Sequence, residues 1–361
     1  MKRKYLYITG YSNLNSYNAN LTNVLYTSNS LKKISKNIII VLFSPLKYIF
    51  RSQSKLQEID PNLSLSFIKI PYFKTRFIYL FNDFICIALG LIFNLLGYTV
   101  YTRNCRVAIW LYKLNCKKIA IELHDCSKRS ISSYIICKSA LFFPISNGII
   151  EKLKELKLNR KTKLLPDAAT LLDGIKKGYL DNKRKNVVYV GSSNKGKGIK
   201  TIIDLARINK NITFHIVGYV RNKTSIKEME NLIFHGFKNK IEITEFLKNA
   251  DILIAPYEKN VFDNLGNEIT NYMSPLKIFE YMASKTPFIV TRMNFIQDFL
   301  IEDIHCFMAN PNDLEEWSKK INILIDNPKV GNKIANNSYK VYKSKYTWDI
   351  RANTINDYIN E

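Results

Sequence analysis

Short apolar runs alternate with segments of helical period along almost the whole chain, and this alternation restricts the possible folds more than any other feature. Strand–helix alternation predicts an α/β fold in which a doubly wound parallel sheet carries helices on both faces. In the first half, strands are predicted at residues 5–9, 37–43, 63–70, 98–101, 118–123 and 140–145, with helices at 77–96 and 147–156.

The alternation starts again after a polar, basic break at residues 181–186. Two similar halves indicate two Rossmann-like domains that face each other across a cleft. The predicted domains are an N-terminal domain at 1–170, a linker at 171–185, a C-terminal domain at 186–342 and a helix at 343–361 that packs across the junction. In the second half, strands are predicted at 187–191, 213–218, 232–236, 251–256 and 288–291, with helices at 199–208, 243–249, 275–284 and 313–325.

The chain is strongly basic, because 54 Lys and Arg residues stand against 30 Asp and Glu, a net charge of +24. Such an excess suits nucleic acid, an anionic membrane surface or phosphorylated substrates. A composition rich in Lys, Asn and Ile, with lysine on solvated faces, explains it equally well. No nucleic-acid-binding motif is present, so we predict no nucleic acid partner. The six cysteines form no CxxC pair and have no histidine at ligand spacing, so we predict no metal site, no disulfide framework and a reducing compartment.

A long apolar stretch at residues 77–98 is interrupted by Asn82, Asp83 and Asn94. Its uninterrupted part is shorter than the ~20 apolar residues that a membrane span needs. A helix buried between the sheet and its neighbours fits this pattern, and a helix lying in the membrane interface is the alternative.

The segment SPLKIFEYMA at residues 274–283 predicts an anion site at the start of a helix. Ser274 before a proline predicts an N-cap and a first-turn proline. The backbone N–H groups of Leu276 and Lys277 then lack intrahelical partners, and the helix dipole and the lysine charge favour an anion there. Glu280 follows about 6 Å along the axis at ~1.5 Å per residue, roughly the reach from a diphosphate to the ribose of a nucleotide. On spacing alone, a plain helix with a good N-cap and a surface glutamate is the open alternative.

These ten residues resemble the nucleotide-binding signature of retaining GT-B glycosyltransferases of family four, the glycosyl transferases group 1 set. The resemblance implies a GT-B fold and transfer of a sugar from a nucleotide diphosphate sugar, with retention of anomeric configuration. It also implies that Glu280 binds the donor ribose, while the turn at Ser274, Leu276 and Lys277 holds the phosphates.

A strand, a glycine-containing loop and a KG motif at residues 188–198 resemble the same family. The resemblance implies a catalytic Lys197 that neutralises the donor diphosphate and helps the nucleotide to leave. Gly191 and Lys195 belong to the same loop, which has the pattern of a phosphate site, although solvated lysines would have the same sequence. Gly218 and Phe237 resemble strand ends near the donor, the second beside its base, although ordinary turns would look alike. His215 and His235 are predicted to be structural rather than catalytic.

Three departures from the family pattern affect the predicted site. No arginine precedes Lys197 in the loop, so either Lys195 substitutes for it or the second cation is missing. A second glutamate, usual eight residues before Glu280, is replaced by Tyr272, so donor-sugar contacts are assigned to Tyr272 and Met273. The first loop lacks the usual glycine pair after Gly10.

In the first half, His124 follows a predicted strand and resembles the family histidine that contacts the donor sugar and the reacting centre. The resemblance therefore implies a catalytic His124, and a structural histidine is the alternative. Arg103 ends another strand, on the side implied to face the acceptor.

The resemblance implies a metal-independent glycosyltransferase that needs no cofactor besides its nucleotide-sugar substrate. The expected acceptor is a glycan or a lipid-linked molecule, in cell-envelope polysaccharide or glycoconjugate synthesis. The expected location is the cytoplasm, with peripheral attachment to the inner face of the cell membrane suggested by the positive charge. The alternatives are a non-catalytic sugar-nucleotide-binding GT-B protein and a sugar-nucleotide 2-epimerase, for which no acid–base carboxylates are identifiable.

Overall fold

The chain forms two compact units in a computed structural model. The N-terminal unit comprises Met1–Ala168, Tyr272–Ser274 and Trp348–Glu361, and the C-terminal unit comprises Ala169–Asn271 and Pro275–Thr347. The chain therefore returns to the N-terminal unit twice after leaving it. The structure describes residues 2–9, 19–44, 60, 62–71, 76–171, 178, 180, 183–219, 229–263 and 266–361.

The N-terminal unit contains a six-stranded sheet of order β3-β2-β1-β4-β5-β6, in which every neighbouring pair is parallel. Its strands are β1 (Lys4–Ile8), β2 (Asn37–Ser44), β3 (Ser66–Pro71), β4 (Thr99–Thr102), β5 (Ile119–Leu123) and β6 (Leu141–Pro144). Its helices include α1 (Ala19–Ile34), α2 (Arg76–Leu95), α3 (Cys105–Lys113), α4 (Lys128–Ile136), α5 (Asn147–Glu155) and the C-terminal α12 (Trp348–Asn360). This strand order is that of a doubly wound Rossmann sheet, as the alternation predicted.

The C-terminal unit repeats this topology in a second six-stranded parallel sheet of order β12-β11-β10-β7-β8-β9. Its strands are β7 (Lys185–Val190), β8 (Ile212–Val217), β9 (Leu232–Gly236), β10 (Ile252–Ala255), β11 (Phe288–Thr291) and β12 (Phe307–Ala309). Its helices include α6 (Ile199–Ile208), α7 (Lys240–Asn249), α8 (Leu276–Ser284), α9 (Asn294–Gln297), α10 (Leu314–Asp326) and α11 (Pro328–Lys345). The predicted fold class is therefore confirmed, and the central strands are almost entirely buried because both faces of a parallel sheet are covered.

Helix α1 has no predicted counterpart, and it is buried on almost every side. Polar residues are buried in it beside apolar ones, so its apolar and polar residues do not separate into an inward and an outward face: Leu21, Thr22, Asn23, Val24, Leu25, Tyr26, Thr27, Ser28, Ser30 and Leu31. Hydrogen bonds satisfy buried polar groups here: the Ser30 hydroxyl donates to Asp349 at 2.6 Å in helix α12. Helix α12 thus packs on the first helix of the chain within the N-terminal unit.

Helix α2 occupies the long apolar stretch at residues 77–98. Of the helices in the described ranges, none combines the length and the apolar character needed to cross a bilayer. Asn82 and Asp83 are buried, and Asp83 forms an ion pair with Arg106 at 2.8 Å. The polar interruptions in the sequence therefore mark the buried face of the helix, and several of its apolar side chains point outward.

Candidate functional site

A tight loop follows β7 at the carboxyl edge of the C-terminal sheet, and its glycines allow backbone segments to come close together. A Cβ on Gly218 would lie 2.6 Å from the Gly191 carbonyl oxygen, and a Cβ on Gly198 would lie 1.7 Å from the Pro256 carbonyl oxygen. Gly198 also has φ +77°, a left-handed conformation that favours glycine, and it is the N-cap of α6. The predicted strand–loop–helix arrangement is therefore present between β7 and α6.

Lys277, in the first turn of α8, extends its ammonium group towards this loop. Its Nζ atom lies 3.9 Å from the centre of the Tyr189 ring and 5.2 Å from that of Tyr257. A Cβ on Gly191 would lie 2.6 Å from this Nζ, so the ammonium group packs directly against the glycine backbone. Nζ is buried and has no hydrogen-bond partner among the residues that the structure describes. Burial, followed by repulsion from Lys197, lowers the pKa of Lys277 well below its usual value.

Lys197 approaches the same aromatic side chain, because its Nζ lies 5.2 Å from the centre of the Tyr257 ring. Burial lowers the pKa of Lys197 to about 8. Lys195, by contrast, is exposed and its Nζ lies 4.7 Å from the Phe262 ring. The loop therefore contains one half-buried and one exposed cation, while Lys277 contributes a third positive side chain from α8.

Ser274 does not cap helix α8, so this part of the sequence prediction is wrong. The helix begins at Leu276, and Pro275 occupies the N-cap position, where its side chain makes no capping hydrogen bond. The Ser274 hydroxyl instead accepts a hydrogen bond from the Asp167 backbone N–H at 2.7 Å, within the N-terminal unit. An uncapped first turn leaves its backbone N–H groups available to an anion, as an anion site requires.

Helix α8 is attached to the sheet where neighbouring strands β7 and β10 separate. The Tyr281 hydroxyl accepts from the Val190 N–H at 3.1 Å and donates to the Ile254 carbonyl at 3.0 Å. Ligands of doubly wound sheets bind at this kind of topological switch point, beyond the carboxyl ends of the strands.

Glu280, one turn further along α8, is paired with a lysine that the sequence does not suggest. The Lys240 ammonium donates a very short hydrogen bond to Glu280 Oε1. The Lys240 side chain is only 2% exposed, whereas the Glu280 side chain is 15% exposed. The other carboxylate oxygen of Glu280 makes no hydrogen bond within the described ranges.

The ends of β8 and β9 contain a histidine pair beside the predicted base position. His215 Nδ1 lies 2.9 Å from His235 Nε2, and His215 Nε2 lies 2.8 Å from the Asn186 side-chain oxygen. Burial lowers the pKa of both histidines to about 4. Both rings are therefore neutral near pH 7 and engaged with each other. Phe237, which follows this pair, is 80% exposed.

In the N-terminal unit, a buried charge cluster surrounds Glu122 at the end of β5. Its Oε1 atom lies 2.9 Å from Arg351, 2.6 Å from His124 Nε2 and 3.7 Å from Arg103 Nε. The Tyr101 hydroxyl donates a very short hydrogen bond to the other oxygen. Burial opposes ionisation of Glu122, but Arg351, His124 and Arg103 together hold its pKa well below its usual value.

Both ring nitrogens of His124 are engaged within this cluster. Arg103 lies 2.9 Å from Nδ1 and can only donate, so Nδ1 accepts and Nε2–H donates to Glu122. Burial and then repulsion by Arg103 lower the pKa of His124, which agrees with a neutral ring. The catalytic role of His124 stays a prediction.

Tyr272 and Met273, the predicted donor-sugar residues, belong with Ser274 to the N-terminal unit. The Ser146 hydroxyl donates to the Tyr272 carbonyl at 3.1 Å, and Met273 is 6% exposed. The structure thus groups Gly191, Lys195, Lys197, Gly218, Phe237, Leu276, Lys277 and Glu280 in the C-terminal unit, and places His124, Tyr272, Met273 and Ser274 in the N-terminal unit. Gly10 and the rest of the first loop lie outside the described residues.

Sequence reasoning missed Lys240, which pairs with the site residue Glu280, and Arg351, which pairs with Glu122, the partner of His124. Lys240 lies 40 positions before Glu280, at the start of a different helix, α7. Arg351 lies more than 200 positions after Glu122, in the last helix. Sequence periodicity therefore gives no indication that Glu280 has a buried ion-pair partner.

Comparisons with known proteins bear on the family and the fold of the chain. Residues 175–341 match the family model of glycosyl transferases group 1. An uncharacterized glycosyltransferase of Methanocaldococcus jannaschii is 23% identical over 264 residues, which cover 69% of this chain and 70% of the relative.

Two solved structures have the same fold over their full length. A glycosyltransferase from Rickettsia africae has a TM-score of 0.71 at 14% identity, covering 100% of this chain and 99% of that one. A variant of S. aureus TarM in complex with fondaparinux, α-GlcNAc-glycerol and UDP has a TM-score of 0.72 at 10% identity, covering 100% of both chains. With two Rossmann sheets of this topology the chain has the GT-B fold, and its residues 175–341 match the glycosyl transferases group 1 family.

Proposed function

We propose that the chain transfers a sugar from a nucleotide diphosphate sugar to a glycan or lipid-linked acceptor, with retention of anomeric configuration. The observation that carries this proposal is the convergence of Lys197 and Lys277 on Tyr257, beside the uncapped start of α8. Two ammonium groups and unpaired backbone N–H groups can together stabilise a diphosphate, because each favours negative charge. Glu280, one turn deeper, is the proposed ligand of the ribose hydroxyls.

The proposed chemistry uses these groups to stabilise the departing nucleoside diphosphate, where the largest negative charge develops in the transition state. Burial lowers the pKa of Lys197 to about 8, so the same lysine can also supply a proton as the leaving group departs. Metal independence is part of the proposal, since three lysines and a helix terminus offer positive charge at the proposed phosphate position. Retention of anomeric configuration is a separate part of the proposal. The N-terminal unit is proposed to supply the acceptor contacts.

We further propose that the protein attaches peripherally to an anionic membrane surface during cell-envelope glycoconjugate synthesis. On α2, Leu80, Phe84 and Leu95 are 64%, 67% and 88% exposed, and Trp110 on the neighbouring α3 is 53% exposed. Lys113 lies over the Trp110 ring at 5.2 Å. Exposed apolar side chains on a chain of charge +24 have the chemistry of an interfacial contact with anionic lipids. Co-sedimentation with anionic and with zwitterionic liposomes at low salt tests this part, and absence of binding to the anionic vesicles would refute it.

A second candidate is a sugar-nucleotide-binding protein without transferase activity. Two observations favour it: both ring nitrogens of His124 are engaged, and Tyr272 replaces the usual glutamate. The two candidates share the nucleotide site and differ only in turnover.

The test begins with a thermal-shift panel of UDP, GDP, ADP and their glucose, GlcNAc and mannose derivatives, because a ligand that binds only the native state raises its stability. Donor hydrolysis and transfer assays with the best ligand then separate the enzyme from the binder. Glu280→Ala is expected to weaken nucleotide binding at least tenfold in calorimetry, since it removes a charged acceptor of hydroxyl hydrogen bonds. Unchanged affinity would contradict the ribose assignment.

A further inference from the structure

The ion pair between Lys240 and Glu280 fixes the orientation of the proposed ribose-binding carboxylate. Lys240 is the first residue of α7, and this helix start is itself fixed by a capping box between Asn239 and Glu242. The Lys240 side chain is 2% exposed, so its ammonium group has lost almost all its water. Desolvation of an ammonium group costs less where an anionic partner compensates it, and Glu280 is such a partner.

The two oxygens of Glu280 have different surroundings. Oε1 accepts from Lys240, while Oε2 makes no hydrogen bond within the part of the chain that the structure describes. The side chain is 15% exposed, so one edge of the carboxylate is open to solvent. The buried ammonium thus holds one oxygen and leaves the other edge to accept hydroxyl donors.

A bare carboxylate close to a diphosphate would repel the ligand. The Lys240 ammonium cancels that charge without contacting bulk solvent, because it lies behind the carboxylate in the protein interior. Glu280 can then accept hydrogen bonds from hydroxyl groups while adding little net negative charge at the site.

We propose that Lys240 is a positioning residue that gives the site its selectivity for ribonucleotides over deoxyribonucleotides, through Glu280. This inference rests on the proposed function, since it assumes that a nucleoside diphosphate binds at the start of α8. Lys240 orients the carboxylate towards the ribose hydroxyls, and loss of Lys240 lets the carboxylate rotate away. Selectivity between ribose and deoxyribose is then lost while phosphate binding is largely kept.

Calorimetry with UDP and GDP, and with their 2′-deoxy and 3′-deoxy counterparts, tests the proposal. For the wild type, removal of a hydroxyl group that binds a carboxylate is expected to weaken binding by about tenfold or more. In Lys240→Met, the ratio of deoxy to ribo dissociation constants is expected to fall below about threefold. A folded variant whose ratio stays within twofold of the wild-type value would overturn the proposal.

Lys238→Met is the matched control, because Lys238 lies two residues earlier and pairs with Glu242 at 3.4 Å instead of Glu280. It is expected to leave the deoxy-to-ribo ratio unchanged. If circular dichroism shows that Lys240→Met is unfolded, Lys240→Gln replaces it with the same expected ratio, since the shorter amide keeps a polar group at the position but does not reach Glu280. If the proposed function itself is wrong, neither UDP nor GDP is expected to bind the wild type.

Discussion

Replacement of Lys277 by methionine is expected to stabilise the fold while it weakens nucleotide binding. Methionine has a similar length and no charge, so it can keep the contact with the Tyr189 ring, 3.9 Å from the present Nζ. A buried donor without a partner costs about 1–3 kcal/mol or more when charged. Loss of the cation–π contact removes about 0.5–1 kcal/mol of stabilisation. The net expected change is a gain of about 1–2 kcal/mol in the free energy of unfolding at neutral pH.

The gain in stability from Lys277→Met is expected to be larger at low pH than at high pH. Burial and Lys197 lower the pKa of Lys277 in the folded state well below that of the unfolded chain. Between these two pKa values the unfolded state binds more protons, so wild-type stability rises with pH. The advantage of Lys277→Met is therefore largest below the folded-state pKa and shrinks as the pH rises towards 10.5.

Urea denaturation at pH 7, 8, 9 and 10 measures this difference directly. A gain of this size corresponds to a rise of about 2–8 °C in melting temperature, at roughly 2–4 °C per kcal/mol for a unit of this length. Lys200→Met is the control, because Lys200 is 86% exposed and its replacement is expected to change stability by less than about 0.5 kcal/mol. A Lys277→Met variant less stable than wild type at pH 7, or a gain that does not change with pH, would refute the reasoning.

Three further changes are expected to alter stability in measurable ways. Gly198→Ala should destabilise the fold by about 2 kcal/mol or more in urea denaturation, because its Cβ would meet a carbonyl oxygen at 1.7 Å and φ is +77°; an effect below 0.5 kcal/mol would contradict this. Since the pKa of His215 and of His235 falls from 6.5 to about 4 on folding, their stabilising contribution is complete above pH 6.5 and is lost as the pH falls towards 4, by up to about 3 kcal/mol for the more deeply buried His215 and by less for His235. Urea midpoints at pH 7 and pH 4.5, compared with those of His215→Gln, measure that loss, and an equal loss in the variant would argue against it. Arg351→Met should lower the free energy of unfolding by about 3–5 kcal/mol, because it leaves buried Glu122 without its nearest arginine. The double variant Arg351→Met/Glu122→Gln should recover part of this stability, and no recovery would refute the pairing.

Apolar runs predicted the sheets well because parallel strands are buried on both faces and therefore appear as continuous apolar segments. The helix predicted at 199–208 coincides with Ile199–Ile208, where an apolar stripe faces the sheet. Helix α1 was not predicted, because it buries polar residues such as Thr22, Asn23 and Ser28 beside its apolar ones and so lacks a polar outer face. Periodicity thus identifies helices that have one apolar and one polar face, and it misses those that are buried on almost every side.

The candidate site was predictable only where local sequence determines it. Lys277 and Glu280 lie three residues apart on one helix, so their proximity follows from helix geometry. The predicted N-cap at Ser274 was wrong for a different reason. The Ser274 hydroxyl accepts a hydrogen bond from the Asp167 N–H, so it is not directed at the first turn of the helix. The role of Lys240 could not be predicted from sequence, because its partner Glu280 is 40 residues away and only tertiary packing brings the two side chains together.

The arginine that helix α12 contributes to the Glu122 cluster has a consequence for the order of folding. Glu122 is synthesised more than 200 residues before Arg351. Residues 1–168 without helix α12 would contain a buried carboxylate lacking its nearest arginine, and helix α1 would lack its packing partner. The N-terminal unit is therefore expected to reach its final packing only after the C-terminal unit has been translated, in contrast to the usual order in which the domain translated earlier folds first.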